Sequence, residues 1–270
     1  INVARAIKKL GGKATAIFPS GGYTGKFFNH LLLQEEVPSI IIDTASETRE
    51  NFIVVDESTN HQYRFGMPGS VLLESEWMRC LERIEALTGI DYLVASGSLP
   101  PGVPPDIFAM LARISKKGNI KLIVDTSGDP LSHAANEGVY LLKPNIGELA
   151  TLAGMKELKP EDVKAIASGI IAKGKVEVLA VSMGAAGCML VTKSDCCLVT
   201  PPSVQRKSTV GAGDSMVGGI MYYLSLGKPL VDAVRYGVAC GTAATMNSGT
   251  ELCNKNDADR LYEATQVSDF

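Results

Sequence analysis

The 270-residue sequence has no apolar run approaching the roughly 18 residues that a membrane-spanning helix requires. It also shows no secretory leader pattern, so a soluble, cytoplasmic protein with no membrane partner is expected. A basic excess is missing as well. Lys and Arg number 26 against 29 Asp and Glu, for a net charge of -3. This argues against a nucleic-acid or membrane-surface binder, while leaving room for a small anionic substrate held by a local basic patch. The six cysteines form no CxxC pair, and only Cys196 and Cys197 are adjacent. Zinc modules and disulfide scaffolds are thereby disfavoured, and reduced, mostly buried thiols are expected. The histidines His30, His61 and His133 are scattered, which suits neither a metal cage nor a triad. No Walker A sequence and no protein-kinase motif set occurs.

What is present is a regular alternation. Hydrophobic residues make up 46% of the chain, enough for a sizeable core. Short apolar runs at Thr15–Phe18, Tyr92–Ala95, Leu122–Val124, Tyr140–Leu142 and Val178–Val181 predict buried strands. Between them, Pro105–Lys116 carries Ile107, Phe108, Leu111 and Ile114 at helical spacing. Glu161–Ala172 does the same with Val163, Ile166, Ile170 and Ile171. The pattern predicts βαβ units. The expected fold is α/β, a doubly wound, mostly parallel sheet flanked by helices, in one domain over residues 1–270. Residues 49–68 break the rhythm. Asn51–Val55 and His61–Phe65 flank the polar stretch 56–60 and predict a β-hairpin. Spacing leaves open whether it edges the main sheet or covers a ligand site.

Four strand-end motifs carry the candidate chemistry. In Ser208-Thr209-Val210-Gly211-Ala212-Gly213-Asp214-Ser215, small residues precede a predicted helix over 216–224. Such a turn offers free N–H groups to an anion, and Asp214 in the first turn could take a proton from a substrate hydroxyl. The plainer alternative is an Asp capping a helix. In Lys143-Pro144-Asn145-Ile146-Gly147-Glu148, Asn145 and Glu148 lie one turn apart. They could face a hydrated magnesium ion or form a capping box, and taken alone the box is the better reading. Ser182-Met183-Gly184-Ala185-Ala186-Gly187 permits close approach to a nucleotide or simply makes a turn. Ser96-Gly97-Ser98-Leu99-Pro100-Pro101-Gly102 is a strand-end loop.

The order SGSLPPG, KPNxxE, SxGxxG, TVGAGDSMVGG resembles the PfkB/ribokinase family of carbohydrate kinases over essentially the whole chain, and within it the phosphofructokinase group. Asn2–Ala6 and Tyr63–Gly69 share that likeness. The resemblance implies a ribokinase-like fold with the hairpin as a lid. It implies ATP-dependent phosphorylation of fructose 6-phosphate at its C1 hydroxyl, giving fructose 1,6-bisphosphate and ADP. Sister kinases acting on tagatose 6-phosphate or fructose 1-phosphate share every motif quoted. A different class, a non-catalytic sugar-phosphate or nucleotide sensor on the same fold, is disfavoured by the intact Asp214 and Gly211–Gly213.

The same resemblance implies the residue roles. Asp214 is the base, and the Gly211, Ala212 and Gly213 amides form the anion hole. Lys143 and Asn145 contact ATP phosphates, and Glu148 organises Mg2+ through water. Ser182, Gly184 and Gly187 line the nucleotide site. Asn2, Arg49 and Ser98 hold the sugar phosphate. A K+ ion is implied at backbone carbonyls of Ser208, Val210, Ala244, Asn247, Gly249 and Glu251, the last standing where relatives carry a basic residue. Family members begin with a further strand, part of the lid and a Gly-rich stretch, so an N-terminal segment is expected ahead of Ile1. Because the hairpin has apolar residues on both alternations, a homodimer through the lid is also expected.

Overall fold

A computed structural model describes residues 1–56, 58–59 and 61–269. Glu57 and Asn60 of the expected hairpin turn lie outside the described residues. The chain runs α1 (Asn2–Lys9), β1 (Ala16–Ser20), α2 (Gly22–Gln34), β2 (Ser39–Asp43), β3 (Asn51–Asp56), β4 (His61–Gly66) and α3 (Glu74–Glu85). It continues β5 (Tyr92–Ser96), α4 (Ile107–Lys117), β6 (Lys121–Asp125), α5 (Gly128–Glu137), β7 (Val139–Leu142) and α6 (Ile146–Leu152). The last part is α7 (Val163–Ala172), β8 (Val176–Ser182), β9 (Cys188–Val191), β10 (Cys196–Thr200), α8 (Ala212–Ser225), α9 (Leu230–Thr245), α10 (Lys255–Ala264) and β11 (Gln266–Asp269).

Among the described residues the main sheet has seven strands in the order β11-β10-β9-β8-β7-β6-β5. Strands β5 to β8 pair in parallel, and β9, β10 and β11 are antiparallel additions. The parallel strands are apolar without alternation because helices cover both faces: Leu122, Ile123 and Val124 of β6 are all buried. One face packs on a core that includes Leu111, Leu131, Leu149 and Ile170. The other packs on Val217, Ile220 and Val234 of α8 and α9.

Two expectations are refined. The strand read at Thr15–Phe18 exists, yet it pairs with β2 in a separate two-stranded parallel sheet. The hairpin is not an edge of the main sheet; β3 and β4 pair only with each other among the described residues. The expected reduced thiols are all free, four buried and two half-buried.

The helix bearing Asp214 is seated by small residues. A Cβ on Gly218 would stand 2.7 Å from Ala6 Cβ, and one on Gly219 would stand 2.6 Å from Cys240 Sγ. The glycines therefore let α1 and α9 close onto α8, fixing its N-terminus relative to the sheet.

Candidate active site

The parallel strands deliver their C-terminal ends to one edge, where open α/β sheets bind ligands. Ser96 ends β5, Asp125 ends β6, Lys143 follows β7 and Ser182 ends β8. Across from them α8 begins at a turn capped by Gly211, whose φ is 75°. A side chain there would strain the backbone and would also place its Cβ 2.6 Å from Leu252 Cδ2. The turn aims the first amides of α8 at the strand ends, with Asp214 in its first turn. Asp214 is held on both oxygens. Asn2 Nδ2 donates to Oδ2 at 3.0 Å, and Ser96 Oγ donates to Oδ1 at 3.4 Å. Asn2, expected on the substrate side, thus orients the Asp214 carboxylate, and Ser96 joins it there.

Lys143 is buried, and its Nζ lies 3.1 Å from Asp125 Oδ1. Burial pushes the Asp125 carboxyl above its ordinary value, and the Lys143 charge opposes that push without cancelling it. Gly213 faces this pair: a Cβ there would be 3.7 Å from Lys143 Nζ and 4.0 Å from Asp125 Oδ2. The missing side chain leaves the amide turn and the ammonium facing one space, a shape suited to a phosphoryl group. Asp125 escaped the sequence reading, which ended that strand at Val124. An acidic residue closing a central parallel strand was the available signal.

Asn145 and Glu148 do form the capping box. Asn145 Oδ1 accepts from Glu148 N at 2.9 Å, and Glu148 Oε2 accepts from Asn145 N at 2.8 Å. The box engages the Oε2 oxygen of the Glu148 carboxylate. Ser182 sits beside Asn145 in a bridge between their backbones and donates its N–H to Pro144 O at 2.8 Å. From there a cleft of about 360 Å³ opens. Ser182, Gly184 and Gly187 line one wall, and Ala212 and Gly213 the other. Val204, Arg206, Thr242 and Thr245 are among the other lining residues and were not foreseen. Gly187 is required for a second reason. A Cβ there would fall 2.0 Å from Val199 O, so the glycine serves the approach of β9 to β10.

On the other side of Asp214, Arg49 Nη2 donates to Ser98 Oγ at 2.9 Å. Two polar groups thus flank the loop after β5: Arg49 on Ser98, and Asn2 and Ser96 on Asp214. The two segments expected to supply cation ligands, residues 208–210 and 244–251, lie against each other. Ser208 Oγ donates to Gly249 O at 2.7 Å, and Ser208 N donates to Thr245 O at 3.3 Å. The carbonyl of Ala244 accepts from Asn247 N at 3.2 Å, and Glu251 N donates to Ser248 O at 3.4 Å. Val210 and Glu251 lie in the two facing segments. Among the described residues no three His, Cys, Asp or Glu side chains converge into a metal cage.

The hairpin has two distinct faces. The cross-strand pairs Phe52–Phe65 and Val54–Tyr63 share one face, and each of the four is about half exposed. Ile53 and Arg64 pair on the other face, and Arg64 Nη2 donates to Thr209 Oγ1 at 2.8 Å, beside the amide turn. Sequence reading missed this contact.

Comparison with known proteins follows the same lines. The model of the pfkB family carbohydrate kinases matches residues 1–257. The ATP-dependent 6-phosphofructokinase isozyme 2 of Escherichia coli (strain K12) is 44% identical over 263 residues, 97% of this chain and 85% of the relative. The 1-phosphofructokinase of Borreliella burgdorferi is 30% identical over 271 residues, 100% of this chain and 86% of the relative. The crystal structure of phosphofructokinase-2 from Escherichia coli in complex with substrates and products has a TM-score of 0.93 at 43% identity, covering 98% of this chain and 86% of that one. The same enzyme in complex with potassium has a TM-score of 0.93 at 44% identity, covering 97% and 85%.

Proposed function

The chain belongs to the pfkB family of carbohydrate kinases, and from that premise we propose that it is an ATP-dependent 6-phosphofructokinase. The observation that carries the reading is Asp214, held by Asn2 and Ser96 beside a cleft of nucleotide size, with Arg49 bonded to Ser98 two residues along the same loop. The 44% identity to a 6-phosphofructokinase, against 30% to a 1-phosphofructokinase, favours fructose 6-phosphate as acceptor.

ATP enters the cleft between Ser182–Gly187 and Ala212–Gly213, with its phosphates directed to the amide turn and Lys143. Fructose 6-phosphate lies across Asn2 and Ser96, its own phosphate held by Arg49 and Ser98. Arg49 suits this task because a guanidinium meets two phosphate oxygens at once. Asp214 accepts the proton of the C1 hydroxyl as that oxygen bonds to the γ-phosphorus and the bond to the ADP oxygen breaks. Charge developing on the transferred group is met by the Gly211–Gly213 amides and Lys143.

The donor set fits a hydrated Mg2+ shared with ATP phosphates. The ligands on hand are carboxylate oxygens of Glu148 and Asp125, and no closed cage exists among the described residues. Bound there, the ion neutralises phosphate charge. The facing segments 208–210 and 244–251 supply backbone oxygens of the kind that suit K+, and the relative's potassium complex supports that assignment. The half-exposed face of Phe52, Val54, Tyr63 and Phe65 supports a homodimer through the lid. Free thiols and an ATP-dependent reaction fit a cytoplasmic location.

The test is a phosphoryl-transfer assay with MgATP and each of fructose 6-phosphate, tagatose 6-phosphate and fructose 1-phosphate. The expected result is the highest kcat/KM for fructose 6-phosphate. Preference for another sugar moves the protein to a sister activity, and binding without turnover makes it a sensor.

A further inference from the structure

Arg5 has no part in the roles assigned above, yet its guanidinium reaches the group that holds Asp214. It stands about one helical turn after Asn2 on α1. Its Nε donates to Glu35 Oε2 at 2.7 Å and its Nη2 to Glu35 Oε1 at 2.5 Å, so the residue that caps the C-terminal end of α2 grips the fork with both oxygens. The remaining nitrogen, Nη1, donates to Asn2 Oδ1 at 3.2 Å, and Asn2 Nδ2 in turn donates to Asp214 Oδ2 at 3.0 Å. The backbone of α1 is fixed separately: Val3, Ala4, Ala6 and Ile7 are buried, and Ala6 lies against Gly218 of α8. What that packing leaves undetermined is which end of the Asn2 amide faces Asp214.

We propose that Arg5 is a positioning residue for the phosphoryl transfer, fixing the Asn2 amide so that its NH2 group rather than its oxygen meets the Asp214 carboxylate. The proposal rests on the reading of Asp214 as the base and extends it outward through Asn2. A guanidinium has N–H donors and no acceptor, so the Asn2 atom that meets it must be the oxygen. The amide is planar, and its NH2 group then points away from Arg5, at Asp214. Turned over, the amide would set its oxygen against a carboxylate oxygen, and the two would repel. Held as it is, it engages Oδ2 and fixes the plane in which the carboxylate meets the substrate hydroxyl; a misplacement of about 1 Å there can cost on the order of 10²-fold in rate. Glu35 serves the same end by holding the fork, and the hydrogen bond from Arg5 keeps its carboxyl below the ordinary range. An ion pair made only to staple α1 to α2 would need the two Glu35 contacts and not the third, and a partly exposed pair of that kind contributes little by itself.

The experiment is a double-mutant cycle on kcat with MgATP and fructose 6-phosphate, across wild type, Arg5→Ala, Arg5→Lys, Asn2→Ala and the double variant Arg5→Ala with Asn2→Ala. Arg5→Ala is expected to lower kcat roughly 10-fold, the lower end for a hydrogen bond to a charged group, and to leave the KM for MgATP nearly unchanged. In the Asn2→Ala background the same substitution should change kcat no further, because Arg5 acts through Asn2. Arg5→Lys keeps the charge, but its single nitrogen cannot hold both Glu35 oxygens and Asn2 in one plane, so it should resemble Arg5→Ala. Losses that add in the double variant, or full kcat in Arg5→Lys, would make Arg5 a staple or a surface charge and overturn the proposal. A second readout needs no turnover: proton exchange at the Asn2 side-chain amide, followed by NMR in protein labelled with ¹⁵N-asparagine. Exchange should quicken on the order of 10-fold in Arg5→Ala as that amide is released, and an unchanged rate also overturns the proposal. A wild-type protein that phosphorylates none of the three sugars would defeat the proposed function, and the exchange rate would still decide Arg5.

Discussion

Lys143 Nζ lies 3.1 Å from Asp125 Oδ1 at the ends of adjacent parallel strands, and both side chains are largely shielded from water. The pair sits directly beneath Gly213. A cation so placed has two tasks: it faces the phosphate space, and it compensates a carboxylate that burial disfavours.

That second task gives a stability prediction with a definite pH dependence. Lys143→Met leaves Asp125 buried without its partner and should cost about 3 kcal/mol near neutral pH, the range for breaking a buried pair from one side. Asp125 already titrates above its ordinary value, and loss of Lys143 raises it further. The folded variant then binds that proton more tightly than the unfolded chain does. Its deficit is therefore smallest below the unfolded carboxylate value of about 4 and grows as pH rises through the raised folded value. Urea unfolding of wild type and variant between pH 4.5 and 8 checks this. A deficit that grows toward acid contradicts it.

Asp214→Asn keeps the size of the side chain and removes the base. It should lower kcat by at least about 10²-fold, the lower end for a positioned proton acceptor, with ATP binding nearly intact. Near-normal turnover would take Asp214 out of the chemistry.

The two glycines of the turn should fail differently. A Cβ on Gly213 meets only ordinary contacts, at 3.7 Å from Lys143 Nζ. Gly213→Val should therefore fold, and its branched side chain should fill the phosphate space at a cost of roughly 3 to 4 kcal/mol of barrier, as for a lost oriented donor. Gly211 has φ 75° and its Cβ would stand 2.6 Å from Leu252 Cδ2. Gly211→Ala should lose thermal stability by the order of 1 kcal/mol or more from backbone strain alone. Melting curves and initial rates measured together separate the two; a fully active Gly213→Val excludes the turn from phosphate binding.

The outer hairpin face predicts assembly. Phe52→Asp and Val54→Asp put charge where Phe65 and Tyr63 pair across the strands. Light scattering should show wild-type dimers and variants shifted to monomer, with a raised KM for sugar because Arg49 anchors the hairpin's base. A fully active wild-type monomer, or a dimer using the helical faces, contradicts the assignment.

The sequence carried the elements whose surroundings repeat. Strand β6 was legible because helices cover both its faces, so Leu122, Ile123 and Val124 form an unbroken apolar run. Helix α8 was announced by the Gly211–Gly213 turn. Strand β11 was invisible: all four of its residues are exposed, and its pairing with β10 leaves no periodic trace. Helix α9 was missed because its buried residues, Ala233, Val234, Tyr236, Gly237, Val238, Ala239, Cys240, Ala243 and Ala244, are mostly small and run nearly continuously, so no amphipathic stripe stands out. In the site, motifs contiguous in sequence were found, and partnerships across the fold were not. Asp125 needed Lys143 beside it before it had a meaning. Asn145 and Glu148 form the capping box that the motif's spacing favoured.

Transfer of the γ-phosphoryl group of ATP to the C1 oxygen of fructose 6-phosphate is read most directly by ³¹P and ¹³C NMR of the products formed from MgATP and that sugar. The expected products are ADP and fructose 1,6-bisphosphate in equal amounts, with the new phosphate coupled to C1 and formation suppressed in Asp214→Asn. Release of inorganic phosphate without a new sugar phosphate, or a product phosphorylated at another carbon, would contradict it.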